Sequence, residues 1–167
     1  MDAEQTLEQR VQRLEIEREI LRTMYQYGHS HDYGPIEDFL DCFVADGAWE
    51  RRRRDTPDQR QPRRAYEGHD ELTRYFGSHK HAPDLFYKHL VLEPRITLDG
   101  DEAHVVSYFV KIDEHPDGPY LYAFGRYRDH LVSCPDGRWR FKRRIAESED
   151  VHVRDWTRGH DVSPTGE

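Results

Sequence analysis

The chain has 167 residues, 35% of them hydrophobic and 35% charged, which is enough for one domain with a real core under a heavily charged surface. Its net charge of −8 excludes a nucleic-acid binder that works through an overall positive field. The two cysteines, Cys42 and Cys134, are too far apart for a disulfide framework or a cysteine zinc motif, and no apolar run reaches the length of a membrane span or a signal core, so a cytoplasmic chain is expected.

The first element is a helix. Leu7, Val11, Leu14, Leu21 and Tyr25 recur at helical spacing with Ile20 and Met24 beside them, charged residues fill the rest, and Gly28 is the expected end. A polar link over residues 29–34 leads to a second helix at residues 35–43, with Pro35 at its first position and Ile36, Phe39, Leu40 and Phe43 as its apolar stripe. Asp46-Gly47 breaks the chain, and residues 48–53 read as a strand. The basic run at 51–54 meets Asp55, Pro57, Asp58 and Pro62 at once, so it reads as a solvated strand end and loop. Residues 64–67 form a short strand, and a third helix at 70–79 buries Leu72, Tyr75 and Phe76.

After Pro83 the pattern turns to β. Segments 85–98, 102–113, 120–133 and 138–148 are separated by turns at Asp99-Gly100-Asp101, His115-Pro116-Asp117-Gly118 and Pro135-Asp136-Gly137. They predict a four-strand antiparallel meander. Residues 1–150 read as a single domain and 151–167 as a polar tail. Helices gathered on one side of such a sheet define an α+β domain, and a curved sheet closed by helices at one end leaves a concave ligand site. No Gly-rich phosphate loop, dinucleotide fingerprint or nucleophile elbow is present, so no cofactor is expected. Gly125 within a strand marks a bulge or bend.

Several motifs resemble those of a known family. Tyr27-Gly28-His29-Ser30-His31-Asp32-Tyr33, followed by Phe39-Leu40-Asp41-Cys42-Phe43 and Asp46-Gly47-Ala48-Trp49, resembles the opening of SnoaL-like domains of the nuclear transport factor 2-like superfamily. Gly68-His69-Asp70-Glu71-Leu72, His89 ahead of Ile96-Thr97-Leu98-Asp99-Gly100-Asp101, Gly125-Arg126-Tyr127-Arg128-Asp129 and Asp136-Gly137-Arg138-Trp139-Arg140-Phe141 follow in the same order. The resemblance spans residues 14–145. It implies a cone-shaped α+β fold: a strongly curved, mixed to antiparallel sheet with three helices of the N-terminal half closing a pocket. The superfamily includes scytalone dehydratase, bile-acid 7α-dehydratase, steroid isomerases, polyketide cyclases and members without chemistry, so the site needs its own argument.

By resemblance to the dehydratase branch, Asp32 and His89 form an acid–base pair. Histidine both takes and gives a proton near neutral pH, and a carboxylate fixes its tautomer. Tyr27 is placed with them as a catalytic donor to a carbonyl oxygen. His31, Trp49, Tyr108, Tyr120, Tyr122 and a basic residue on the last strand are expected to bind substrate. Parity does not separate Arg143 from Arg144 for that role, which is assigned to Arg143. The plainer readings are that Asp32 caps the second helix, His89 is a structural strand histidine and Tyr27 is core. His29, His31, His79 and His81 invite a metal reading, but the chain has no His-Glu-x-x-His motif, and no metal is expected. The expected partners are a small-molecule substrate and further copies of the chain, as a homodimer or homotrimer, with neither nucleic acid nor membrane. The function implied is a cofactor-independent lyase or isomerase of dehydratase type acting on an apolar, ring-containing carbonyl compound. The alternative is a non-catalytic binding or dimerisation module of the same fold.

Overall fold

The computed structural model of the chain describes residues 5–53 and 64–149. The expected loop at 55–62, Arg54 and the polar tail at 151–167 lie outside the described residues. The elements are α1 (Leu7–Tyr33), α2 (Ile36–Leu40), β1 (Phe43–Arg53), β2 (Arg64–Glu67), α3 (Gly68–Phe76), β3 (Tyr87–Asp99), β4 (Glu102–Asp113), β5 (Tyr120–Ser133) and β6 (Trp139–Ser148). Six strands form one curved, unclosed sheet in the order β2-β1-β6-β5-β4-β3. The meander β3 to β6 is antiparallel throughout, while β1 joins β6 in parallel. That one parallel pairing makes the sheet mixed and brings the N-terminal third of the chain against its last strand.

Helix α1 begins with a capping box, in which Thr6 and Gln9 satisfy each other's backbone N–H groups. It does not end at Gly28 but runs five residues further, to Tyr33. Gly28 serves a different purpose. A Cβ there would lie 2.9 Å from the carbonyl oxygen of His89, so the glycine lets α1 cross β3 in close backbone contact. The buried face of α1 is only part of the expected one. Ile20 and Met24 pack inward together with Tyr27, whereas Leu7, Val11, Leu14 and Tyr25 stay exposed. The Thr23 hydroxyl donates to the Trp139 carbonyl and pins the helix to β6.

Gly28→Ala tests the crossing. Alanine gains about 1 kcal/mol of helix propensity, but overpacking against a backbone atom that cannot rotate away costs about 1–3 kcal/mol. The expected result is a lower urea midpoint; an unchanged or raised midpoint would show that the strand is free to move.

Helix α2 is shorter than expected, and Pro35 is its N-cap rather than its first turn. Asp46-Gly47 does not separate helix from strand. It lies in a register shift inside β1, where a Cβ on Gly47 would meet the Phe141 carbonyl at 2.8 Å. The core sits between the helices and the concave face of the sheet. Ile20, Met24, Tyr27, Phe39, Phe43 and Phe141 are almost completely buried there, which explains how a chain with few aliphatic residues fills its interior with rings.

Candidate active site

The last turn of α1, the loop after α3 and the start of β3 converge. Asp32 lies within α1, not after it, and the N-cap of α2 is Pro35, so the helix-capping reading of Asp32 is set aside. Its own backbone carbonyl accepts the N–H of Ala82, which ties the loop to the helix. The register of β3 brings His89 to the same point: the His89 backbone N–H donates to Asp32 Oδ2 at 3.0 Å, and His89 Nδ1 lies 2.6 Å from Asp32 Oδ1. Both side chains are largely buried, at 10% exposure for His89 and 5% for Asp32. With both carboxylate oxygens engaged by one residue, Asp32 is arranged to orient and charge-balance the imidazole. In the neutral tautomer that this contact suits, the imidazole proton sits on Nδ1 facing the carboxylate, and Nε2 is the acceptor nitrogen.

Burial pushes the His89 pKa well below its ordinary value, and the positive charges of Lys111 and Arg144 act in the same direction. Burial also raises the Asp32 carboxyl, partly offset by the His89 N–H. The state this favours near neutral pH is a neutral imidazole bonded to a carboxylate, ready to accept a proton.

A cavity of about 190 Å³ opens beside the pair, lined by Ser30, His31, Phe39, Phe76, His79 and His81 among others. Asp32 and His89 lie one ring behind its wall. The His31 ring lines the cavity and lies 4.1 Å, centroid to centroid, from His89. Its Nδ1 is buried and has no hydrogen-bond partner among the described residues. Burial, His89 and His79 hold its pKa well below the usual value, so it too is neutral.

The other residues singled out from the sequence divide into two groups. Tyr27 and Trp49 point inward, but as core. Tyr27 is 2% exposed, its hydroxyl accepts the indole N–H of Trp49 at 3.1 Å, and five aromatic rings surround it. Tyr122 is half-buried, with the Lys111 ammonium 4.1 Å from its ring centre. Tyr108, Tyr120 and Arg143, expected at the pocket, are not there. On β4 the odd positions Ala103, Val105, Ser107 and Phe109 are buried, so Tyr108 faces out and is 53% exposed. Tyr120 is also exposed and lies near His115, beyond the register shift that pairs Ile112 with Leu121. Arg143 pairs with Glu50, and its side chain is 44% exposed.

Arg144 takes the interior position instead. Its guanidinium is 0% exposed and holds Asp129 through two bonds of 2.9 and 2.8 Å, stacked about 4 Å from the rings of Tyr27, Tyr127 and Phe141. Burial opposes the charge on Arg144, but Asp129 outweighs it and keeps the group protonated. A bulge decides between the two arginines: β6 shifts register between Phe141 and Arg143, so Phe141 and Arg144 share the inner face.

Lys111 is a site residue that the sequence reading passed over. It follows Phe109 on the inner face of β4, lies 2.6 Å from Asp113 and has its ammonium near the rings of Tyr87 and Tyr122. The odd-position alternation of β4 was the signal for it. Burial lowers its pKa, and the Asp113 carboxylate restores part of the loss.

A mixed sheet wrapped on a long helix, with a buried His–Asp pair where helix and strand cross, defines a nuclear transport factor 2-like cone with a small-molecule site. The chain belongs to the SnoaL-like domain family, which it matches over residues 12–145. No curated protein matches it. Among solved structures it is similar to a candidate scytalone dehydratase from Novosphingobium aromaticivorans, with 25% identity, a TM-score of 0.66, and 85% of this chain and 91% of that one covered. A nuclear transport factor 2-like protein with a cystatin-like fold from the same organism matches with TM-score 0.73 at 21% identity, covering 92% of this chain and 94% of that one. ActVI-ORFA from Streptomyces coelicolor matches with TM-score 0.66 at 18% identity, covering 80% and 96% respectively.

Proposed function

We propose that this chain is a cofactor-independent lyase or isomerase of the dehydratase type, acting on a small, apolar, ring-containing carbonyl compound. The observation that carries the reading is the doubly bonded Asp32–His89 pair, buried beside an aromatic-lined cavity. With the His31 ring turned aside from the cavity wall, His89 Nε2 takes the proton next to the carbonyl, and the C–H electrons pass into an enolate. The enolate collapses to a C=C bond as the β-hydroxyl takes the same proton from the imidazolium and leaves as water. Asp32 stabilises the imidazolium, and the positive charge of Lys111 favours the enolate oxygen. Histidine returns to its starting state and no other reactant is consumed. The cavity is smaller than the roughly 300–1,000 Å³ of a typical drug-sized site, which suits a substrate of one or two rings. His31, Phe39 and Phe76 would hold its faces. Tyr27 and Trp49 act by packing behind the pair. The similarity to the candidate scytalone dehydratase supports this class.

The test is a screen of cyclic β-hydroxy ketones for loss of water, with Asp32→Asn and His89→Ala alongside the parent chain. Turnover that disappears in both variants supports the reading. Turnover that survives in both sinks it.

A non-catalytic binding module is favoured by one observation: His31, not His89, forms the cavity wall. Ligand binding by the parent and both variants, without turnover in any, would establish that reading instead.

We also propose self-association into a homodimer or homotrimer through the convex face of the sheet. Leu90, Leu92, Tyr108 and Phe124 are exposed there on three adjacent strands, and a contiguous apolar patch of this kind marks an interface. Light scattering should give a multiple of the chain mass for the parent protein and the single-chain mass for Tyr108→Glu. A monomeric parent would refute the interface.

A further inference from the structure

The convex face carries a second cluster, remote from the cavity and unused by the proposed chemistry. Glu102 and His104 stand two residues apart on β4 and so share one face, and His104 is directly opposite His130 on β5. The two imidazoles lie 4.9 Å apart at 24° to one another. His130 Nε2 lies 2.9 Å from Glu102 Oε2, and one donor atom from each residue falls within 4.8 Å of the other two. The basic residues next along the sheet are already committed: Arg143, in register with His130, to Glu50, and Arg128 to Glu147.

We propose that Glu102, His104 and His130 form a binding site for one divalent transition-metal ion, with zinc as the reference ion. Two imidazole nitrogens and one carboxylate oxygen are a zinc donor set, and the nitrogens select zinc, nickel or copper over magnesium or calcium. Ligands at about 2.0–2.2 Å around a tetrahedral ion are about 3.3 Å from one another. The widest separation here therefore closes by at most about 1.5 Å, which side-chain rotation supplies at an accessible surface. The backbone does not need to move, because the β4–β5 ladder already sets the two strands in register. Three protein ligands leave the remaining position to water, so this is an open site that also clamps β4 to β5.

The experiment is calorimetric titration of the full chain with zinc chloride in a non-chelating buffer, with His104→Ala, His130→Ala and the double variant alongside. Both positions lie on the outer face of the sheet, His104 exposed and His130 half-buried, and circular dichroism checks that each variant is folded. The expected result is one ion per chain, affinity lowered at least about tenfold by either single substitution, and no such binding in the double variant. Zinc should also raise the thermal midpoint of the parent but not of the double variant. The proposal is overturned if the parent takes up no zinc. It is equally overturned if the double variant binds zinc as tightly as the parent, and loss of that binding in His89→Ala would then assign the ion to the cavity.

Discussion

His89→Ala should lower kcat/KM for dehydration of the substrate by about 10²–10⁴-fold, the usual contribution of a positioned acid–base group, while the chain stays folded. Asp32→Asn should fall in the same range for a different reason. The amide keeps the shape, but its single oxygen can accept from the Nδ1–H or the backbone N–H of His89 and not from both, and it cannot balance the charge of the imidazolium that the proposed proton transfer forms. That charge is costly here, because burial, Lys111 and Arg144 all disfavour it. The same causes set the pH profile. The proposed mechanism uses neutral His89, whose pKa is depressed, so kcat/KM should stay flat as pH falls through 6.5, the ordinary histidine value, and drop only well below it. A parent profile that already halves near that ordinary value would place an unburied histidine in the rate step and remove His89 from the role of base.

The largest loss of stability should follow from Asp129→Ala. The substitution leaves the Arg144 guanidinium charged, 0% exposed and without its one ionic partner among the described residues, and breaking one side of a buried pair costs about 3–5 kcal/mol. For a chain of this size, 1 kcal/mol is about 2–4 °C, so the thermal midpoint should fall by about 6–20 °C. Replacing both partners with apolar residues, as in Asp129→Leu with Arg144→Met, should recover most of the loss, because neither charge then needs a counterion. A midpoint within about 2 °C of the parent for Asp129→Ala would mean that water reaches Arg144 and that the interior is wetter than its burial indicates. The effect bears on the site, since Arg144 also stacks on Tyr27, one turn before His31 and Asp32 on the same helix.

The α+β class, the order of elements and the antiparallel meander were legible in the chain itself, because hydrophobic period and turn chemistry are local. The turns around Gly100, Gly118 and Gly137, all at positive φ, are placed by residues next to one another in sequence. Asp32 and His89 were legible only through motif order, since 57 positions separate them and no local rule joins them. What the chain alone left open were the facts set by contacts between distant segments. Gly28 reads as a helix end until β3 is seen lying across it. Parity leaves Arg143 and Arg144 undivided until a single bulge after Phe141 gives the inner place to Arg144. The sheet ladder is held by backbone hydrogen bonds common to every residue, so one extra residue in one strand reverses which side chains face the pocket, and only the tertiary structure decides where that residue falls.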